Sequence, residues 1–260
     1  MLTQSAWLAT VLVIAAIAAG CGGESAEKNE ANRPLLKFDP ATAGTISGTV
    51  IFQGTPPPPT PADMGADEAC HTNHVDDPQL TQDVVVNNGK LANAFIYISD
   101  GVSGQYQPPA DSVVLDQRGC RYAPHVFGIM VGQKLAIKNS DPTLHNIHTM
   151  GSQNKQFNIA QYGTDHGTNN GKPQTTVKEF THQEIMIPIS CDVHGWMRSY
   201  AGVLTHPFFA VSGTDGSFSF KAPPGTYTLT AWHERLGKQT AQVTIASGGS
   251  ASATFTFSMH

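Results

Sequence analysis

The chain has 260 residues, 40 % of them hydrophobic and only 13 % charged, about half the usual charged share. That balance excludes a wholly disordered chain, which needs high net charge and few apolar residues. The net charge of −5 argues against nucleic acid, which wants a basic face.

The first element is an address. Ala6 to Gly20 (AWLATVLVIAAIAAG) is an apolar run too short to span a bilayer as a helix. It ends in small residues directly before Cys21, as a secretory segment does before its cleavage site. Ala18-Ala19-Gly20-Cys21 resembles a bacterial lipobox, which implies lipidation of Cys21 as the mature first residue. The alternative is an ordinary signal peptide or an uncleaved anchor. Residues 1–21 are thus expected to be a signal peptide and 22–43 a polar, flexible tether to a membrane. Export, periplasmic or to the cell surface, places the rest in an oxidising compartment.

Past residue 44 the pattern is strands and turns, as Gly 25 and Pro 17 also suggest. Thr45–Phe52, Val84–Val86, Leu91–Ser99 and Ser112–Leu115 are β-rich, with Gly, Asn or Pro between them. Phe127–Lys138 turns at Gly132 and then alternates strictly, and Glu184–Ile189 leads into Ser190-Cys191. Ser217–Lys221, Thr226–Trp232, Thr240–Ile245 and Ser252–Ser258 close the chain. Outside the leader no window holds a 3.6-residue period, so the fold class is all-β, a sandwich. Residues 151–180, rich in Asn, Gly and Gln, read as a long loop covering a site.

The chemistry lies in Cys191-Asp192-Val193-His194-Gly195-Trp196-Met197, a Cys-x-x-His-x-x-Met spacing. A strand-to-turn loop can wrap thiol, imidazole and thioether round one point, which a helix or straight strand would not do. Thiolate and imidazole bind copper strongly, with thioether as a long, weak axial contact. A second imidazole is offered by His145, followed by Asn146, after the alternating strand that ends near Lys138. Phosphate-loop, zinc-protease and nucleophile-elbow look-alikes at Gly167–Pro173, His233–Gly237 and Gly101–Gly104 each lack a required residue or spacing.

From Leu115 to Val203, with this ligand loop, the upstream His-Asn and the Gly132 turn, the sequence resembles the cupredoxins, the type 1 (blue) copper proteins. The resemblance implies a Greek-key β-sandwich holding one type 1 copper ion. His145, Cys191 and His194 would be equatorial ligands, Met197 the axial one, and Asn146 would tether the ligand loops by hydrogen bonds. It further implies a one-electron carrier between redox protein partners rather than an enzyme, with electrons leaving through an exposed His194 edge. Copper capture and delivery, or a non-catalytic binding module, is the alternative.

With Cys21 assigned to processing and Cys191 to the metal, Cys70 and Cys120 are left, and in an exported protein they most simply form a disulfide. Closing a loop of about 50 residues would stabilise by about 4 kcal/mol on the chain-entropy model. His148 is expected to face away from His145, and His71, His74, His125, His206 and His233 to be structural or exposed. Trp196 could shield the metal or meet a partner.

The Asp215-Gly216 turn and the Pro223-Pro224-Gly225-Thr226-Tyr227 strand opening resemble a carboxypeptidase regulatory-like β-sandwich. That family begins with a Gly-x-Val strand, and Gly48-Thr49-Val50 supplies one far upstream. The expected organisation is N-terminal strands at 44–105, a copper-binding domain at 106–205 and the regulatory-like sandwich at 206–260. Residues 44–105 either complete the last sandwich, making it discontinuous around the copper unit, or add strands to the copper unit itself.

Overall fold

The computed structural model describes residues 34–164 and 171–259. The expected signal peptide, Cys21 and most of the tether lie outside them. The described end of the tether is anchored: Leu36 exchanges backbone hydrogen bonds with Gln105 and Gln107. Among the described residues no helix is long and apolar enough to cross a membrane.

The chain opens with β1 (Gly44–Phe52), a short helix α1 (Glu68–Asn73), β2 (Val86–Asn87), β3 (Lys90–Leu91) and β4 (Phe95–Asp100). It continues through β5 (Val113–Gln117), β6 (Tyr122–Ala123), β7 (Val126–Met130), β8 (Lys134–Asn139) and β9 (His145–Thr149). Next come β10 (Asn158–Gln161), β11 (Gln174–Glu179), β12 (Glu184–Ser190) and β13 (Arg198–Leu204). The last five are β14 (Phe209–Val211), β15 (Ser217–Ala222), β16 (Gly225–His233), β17 (Gly237–Ile245) and β18 (Ser250–Phe257). The all-β fold class therefore stands. Residues 151–180 are not one long loop, because β10 and β11 form within them on the edges of two sheets. Polar Thr, Gln and Asn alternate there with few apolar residues, as suits edge strands with one face in water. Helix α1 is too short for its period to register in the sequence; Asp67 caps it by accepting the Cys70 N–H at 2.8 Å.

Four sheets result. The middle of the chain builds β11-β8-β5-β6 and β10-β9-β12-β13-β7. Between them lies an apolar core of Leu115, Ile129, Leu135, Ile137, Ile147, Ile187 and Ile189. The ends of the chain build the other two: β15-β1-β3-β2 with β18 also on β1, and β14-β4-β16-β17. Their core includes Ile46, Val50, Phe52, Ile96, Leu229, Phe255 and Phe257. Strand β1 runs antiparallel to β15 from Gly44 to Thr49 and parallel to β18 from Thr45 to Phe52.

A third apolar cluster, with Phe95, Tyr97, Val126 and Leu204, packs β4 against β7 and β13. Close approach is possible because Gly128 of β7 and Gly202 of β13 are paired neighbours. A Cβ on Gly128 would lie 2.2 Å from the Phe209 ring, and one on Gly202 2.4 Å from the Phe95 ring. The paired glycines make a flat spot on which two aromatic rings rest. Gly202→Val should therefore overpack this junction and destabilise the protein by about 1–3 kcal/mol, read as a lowered urea midpoint. An unchanged midpoint would show that the rings do not bear on the glycine.

His206 supplies a pH test. Its Nδ1 accepts the Phe208 N–H and its Nε2 donates to the Ile98 carbonyl, so it is a satisfied neutral imidazole. Burial pushes its pKa down from 6.5 to about 4. Protons are then taken up on unfolding, so stability falls as pH drops through the window between those values. His206→Gln should flatten that part of the stability–pH profile; an unaltered slope would contradict the assignment.

Candidate metal centre

The centre is assembled from two loops at one end of the middle sheets. Strand β12 delivers Cys191 at its end, and β9, its antiparallel neighbour, begins with His145. The loop after β12 folds on itself: Met197 N–H donates to the His194 carbonyl at 2.9 Å, and Cys191 N–H to the Met197 carbonyl at 3.3 Å. His194 N–H points at Cys191 Sγ, 3.4 Å away. His145 Nδ1 and His194 Nδ1 come within 2.8 Å of each other, and His194 Nδ1 lies 3.8 Å from Cys191 Sγ. One ligand atom from each of the three side chains falls within a 4.8 Å cluster. All three are buried, as is Met197, which packs in the same apolar core as Cys191.

The hydrogen positions follow from the outer contacts. His145 Nε2 lies 2.9 Å from Asp141 Oδ2, and this carboxylate already accepts the Gly119 and Cys120 N–H groups at 2.7 and 2.8 Å. His194 Nε2 lies 3.1 Å from Asp67 Oδ2, and Asp67 accepts from Cys70 N–H and from the Thr143 hydroxyl. Groups that accept so many donors are ionised, so each Nε2 carries a hydrogen and donates it outward. Each Nδ1 then turns a lone pair inward. Two inward lone pairs this close repel unless a cation, a proton or a metal ion, is shared between them. The donor set of two imidazoles and one thiol, with a buried thioether in the same loop, fits copper.

Electrostatics agree. Burial pushes the Cys191 thiol up, but its close contacts with His145 and His194 and with the Asn146 and His194 backbone outweigh it and bring it down to about 6. Burial lowers His145, yet Asp141 and Cys191 together raise it above its ordinary value. Asp67, raised by burial, is held below the carboxylate range by the Cys70 N–H and His194.

The sequence-derived residues map onto this centre as follows. His145, Cys191 and His194 converge. Asn146 binds both loops, its Oδ1 accepting the Asp192 N–H at 2.7 Å and, from the thiol form, Cys191 Sγ–H at 3.1 Å. Its Nδ2 donates to Asn158 and Asp192. Cys70 and Cys120 are bonded as a disulfide. His148 faces away and meets Asp192 at 3.0 Å. His74 accepts no ligand role either, binding the Gly119 carbonyl at 3.1 Å.

One expectation is corrected. The His194 edge is not exposed: the residue is 2 % accessible, its Nε2 is covered by Asp67, and the Trp196 ring sits 4.9 Å from its own. The covering group comes from the segment before α1, outside the stretch that carries the cupredoxin resemblance. Asp67 and Asp141 went unnoticed in the sequence. Asp141 had a faint signal, four residues before His145; Asp67 had none without the disulfide that brings its neighbour Cys70 here.

No family model and no curated protein matches the chain. Among solved structures, an oxidized variant of amicyanin is 19 % identical over 35 % of this chain and 81 % of its own, with a TM-score of 0.29. A Cu(I) form of another amicyanin variant is 18 % identical over 43 % and 98 %, TM-score 0.30. A Cu-containing nitrite reductase from Thermus scotoductus SA-01 is 18 % identical over 43 % of this chain and 26 % of that one, TM-score 0.31. Likeness at this level assigns neither function nor ligands.

Asn146→Ala removes the acceptor of the Asp192 N–H. A hydrogen bond is worth about 1 kcal/mol net, so amide exchange at Asp192 should quicken several-fold in the metal-free protein. Exchange at the wild-type rate would show that Asn146 does not tether the loops.

Proposed function

We propose that the chain is an exported, type 1 (cupredoxin-like) copper protein that carries single electrons between redox protein partners. The observation that carries this reading is the convergence of one ligand atom each from His145, His194 and Cys191, all buried, within 4.8 Å, with both imidazoles turned lone pair inward. His145, Cys191 and His194 would hold the ion, with the buried Met197 thioether of the same loop as a weaker donor. Bound copper would supply a one-electron couple between Cu(II) and Cu(I).

The remaining work belongs to the protein. The Cys191 thiol is held below its ordinary pKa, which favours a cation beside it. Asn146 and the loop's own backbone bonds restrict movement of the thiolate and of His194. A site that cannot rearrange much suits electron transfer, because little reorganisation accompanies a change of charge. Among the described residues His145, Cys191 and His194 are all buried, which favours a carrier over an enzyme. With His194 covered by Asp67 and flanked by Trp196, the electron route to a partner is assigned to the Trp196 side of the loop, where Trp196 is half-buried.

The domain reading belongs to the same proposal. Residues 44–105 and 206–260 form one regulatory-like sandwich interrupted by the copper unit, supported by the pairing of β1 with β15 and β18. Lipid anchoring through Cys21 would tie the molecule to a membrane.

Anaerobic copper titration tests the function. An intense visible thiolate-to-Cu(II) band with reversible reduction is expected, and Cys191→Ser should abolish it. A colourless protein that yields Cu(I) to a chelator would favour capture and delivery, and a band surviving in Cys191→Ser would overturn the ligand assignment.

A further inference from the structure

The groups behind the two imidazoles form a connected frame that the proposed ligand set does not account for. Asp67 and Asp141 lie on separate segments, yet both reach one covalent link. Asp67 Oδ1 accepts the Cys70 N–H at 2.8 Å, Cys70 is bonded to Cys120, and Cys120 N–H donates to Asp141 Oδ2 at 2.8 Å. The ends of that chain are the two carboxylate–imidazole contacts, 3.1 Å to His194 and 2.9 Å to His145.

Cys120 is the hub. Its Sγ holds α1, its N–H holds Asp141, and its carbonyl accepts the Trp196 indole N–H at 2.9 Å. The neighbouring Gly119 adds its own N–H to Asp141 and is held through its carbonyl by His74. Thr143, two residues beyond Asp141, donates to Asp67 and closes the ring. A simple fold-stabilising role would need none of these groups to meet an imidazole; here both ends of the frame do.

We propose that Asp67 and Asp141 are positioning residues that fix both imidazoles with their Nδ1 lone pairs inward, and that the Cys70–Cys120 disulfide couples them into one frame. The purpose of the frame rests on the copper reading, but its geometry can be tested without copper. Orientation of ligands by outer carboxylates is worth about 10–100-fold in metal affinity. The segment carrying Asp67 and Cys70 lies before residue 106, so the site is completed by a part of the chain outside the unit that supplies the ligands.

Asp67→Asn is the sharpest variant. Asparagine caps a helix about as well as aspartate, so α1 keeps its cap while the amide's oxygen stays on the Cys70 N–H. The NH2 group then faces His194 Nε2, a donor where the wild type has an acceptor. Side-chain 15N NMR of the metal-free protein should show hydrogen on Nε2 of both histidines in the wild type. In Asp67→Asn the His194 hydrogen should move to Nδ1, with His145 unchanged and the melting temperature little altered. Copper affinity, measured by chelator competition, should fall about 10–100-fold.

The Cys70→Ser/Cys120→Ser double variant should disturb both imidazoles together; where it does not fold, Asp67→Asn carries the test alone. Wild-type tautomers and affinity in Asp67→Asn would overturn the positioning role. A folded double variant with both imidazoles undisturbed would overturn the coupling. If the tautomers shift as stated but the wild type binds no copper, the frame stands and the copper reading falls.

Discussion

Two imidazoles are each tied at the outer nitrogen to a carboxylate that is already saturated with donors, and the centre depends on that constraint. A histidine free to choose its tautomer could point hydrogen or lone pair at the other. Asp141 and Asp67 remove the choice, and both Nδ1 atoms face Cys191 Sγ from a few ångströms away. Such a cluster is costly to bury unless its lone pairs and charges find a partner. A Cys191 thiol held below its ordinary pKa and a His145 held above its own, each shift favouring the charged form, are the electrostatic trace of that arrangement.

The fold serves this constraint by bringing distant segments to one end of a sheet. Antiparallel β9 and β12 bring His145 and Cys191 to the same end of their sheet, and the short loop before β13 folds back so that the Met197 carbonyl accepts the Cys191 N–H. The second pair of sheets, made from both ends of the chain, leans on the first through Phe95 and Phe209 lying over Gly128 and Gly202. The segment between β1 and β2 leaves that second pair and crosses to the ligand end, where the disulfide secures it. The centre therefore draws on that segment as well as on the sheets that carry His145 and Cys191.

Much of this was legible in the residues. Strict alternation in Lys134–Lys138 and in the C-terminal strands follows from one face meeting a core, so period alone reveals it. Cys191, His194 and Met197 share one loop, and short spacing survives folding. Strands β10 and β11 were hidden because edge strands carry polar residues on their open face. Burial of His194 was hidden for a different reason: Asp67 reaches it across a contact between residues 127 positions apart, and nothing local in either stretch encodes that meeting. The Cys70–Cys120 link was the one long-range tie that cysteine usage exposed, and Asp67 rides on it.

The most direct test is X-ray absorption at the copper edge of the loaded protein. The account predicts a coordination shell of two imidazole nitrogens and one short thiolate sulfur. A shell of oxygen and nitrogen alone, with no sulfur at bonding distance, would contradict it.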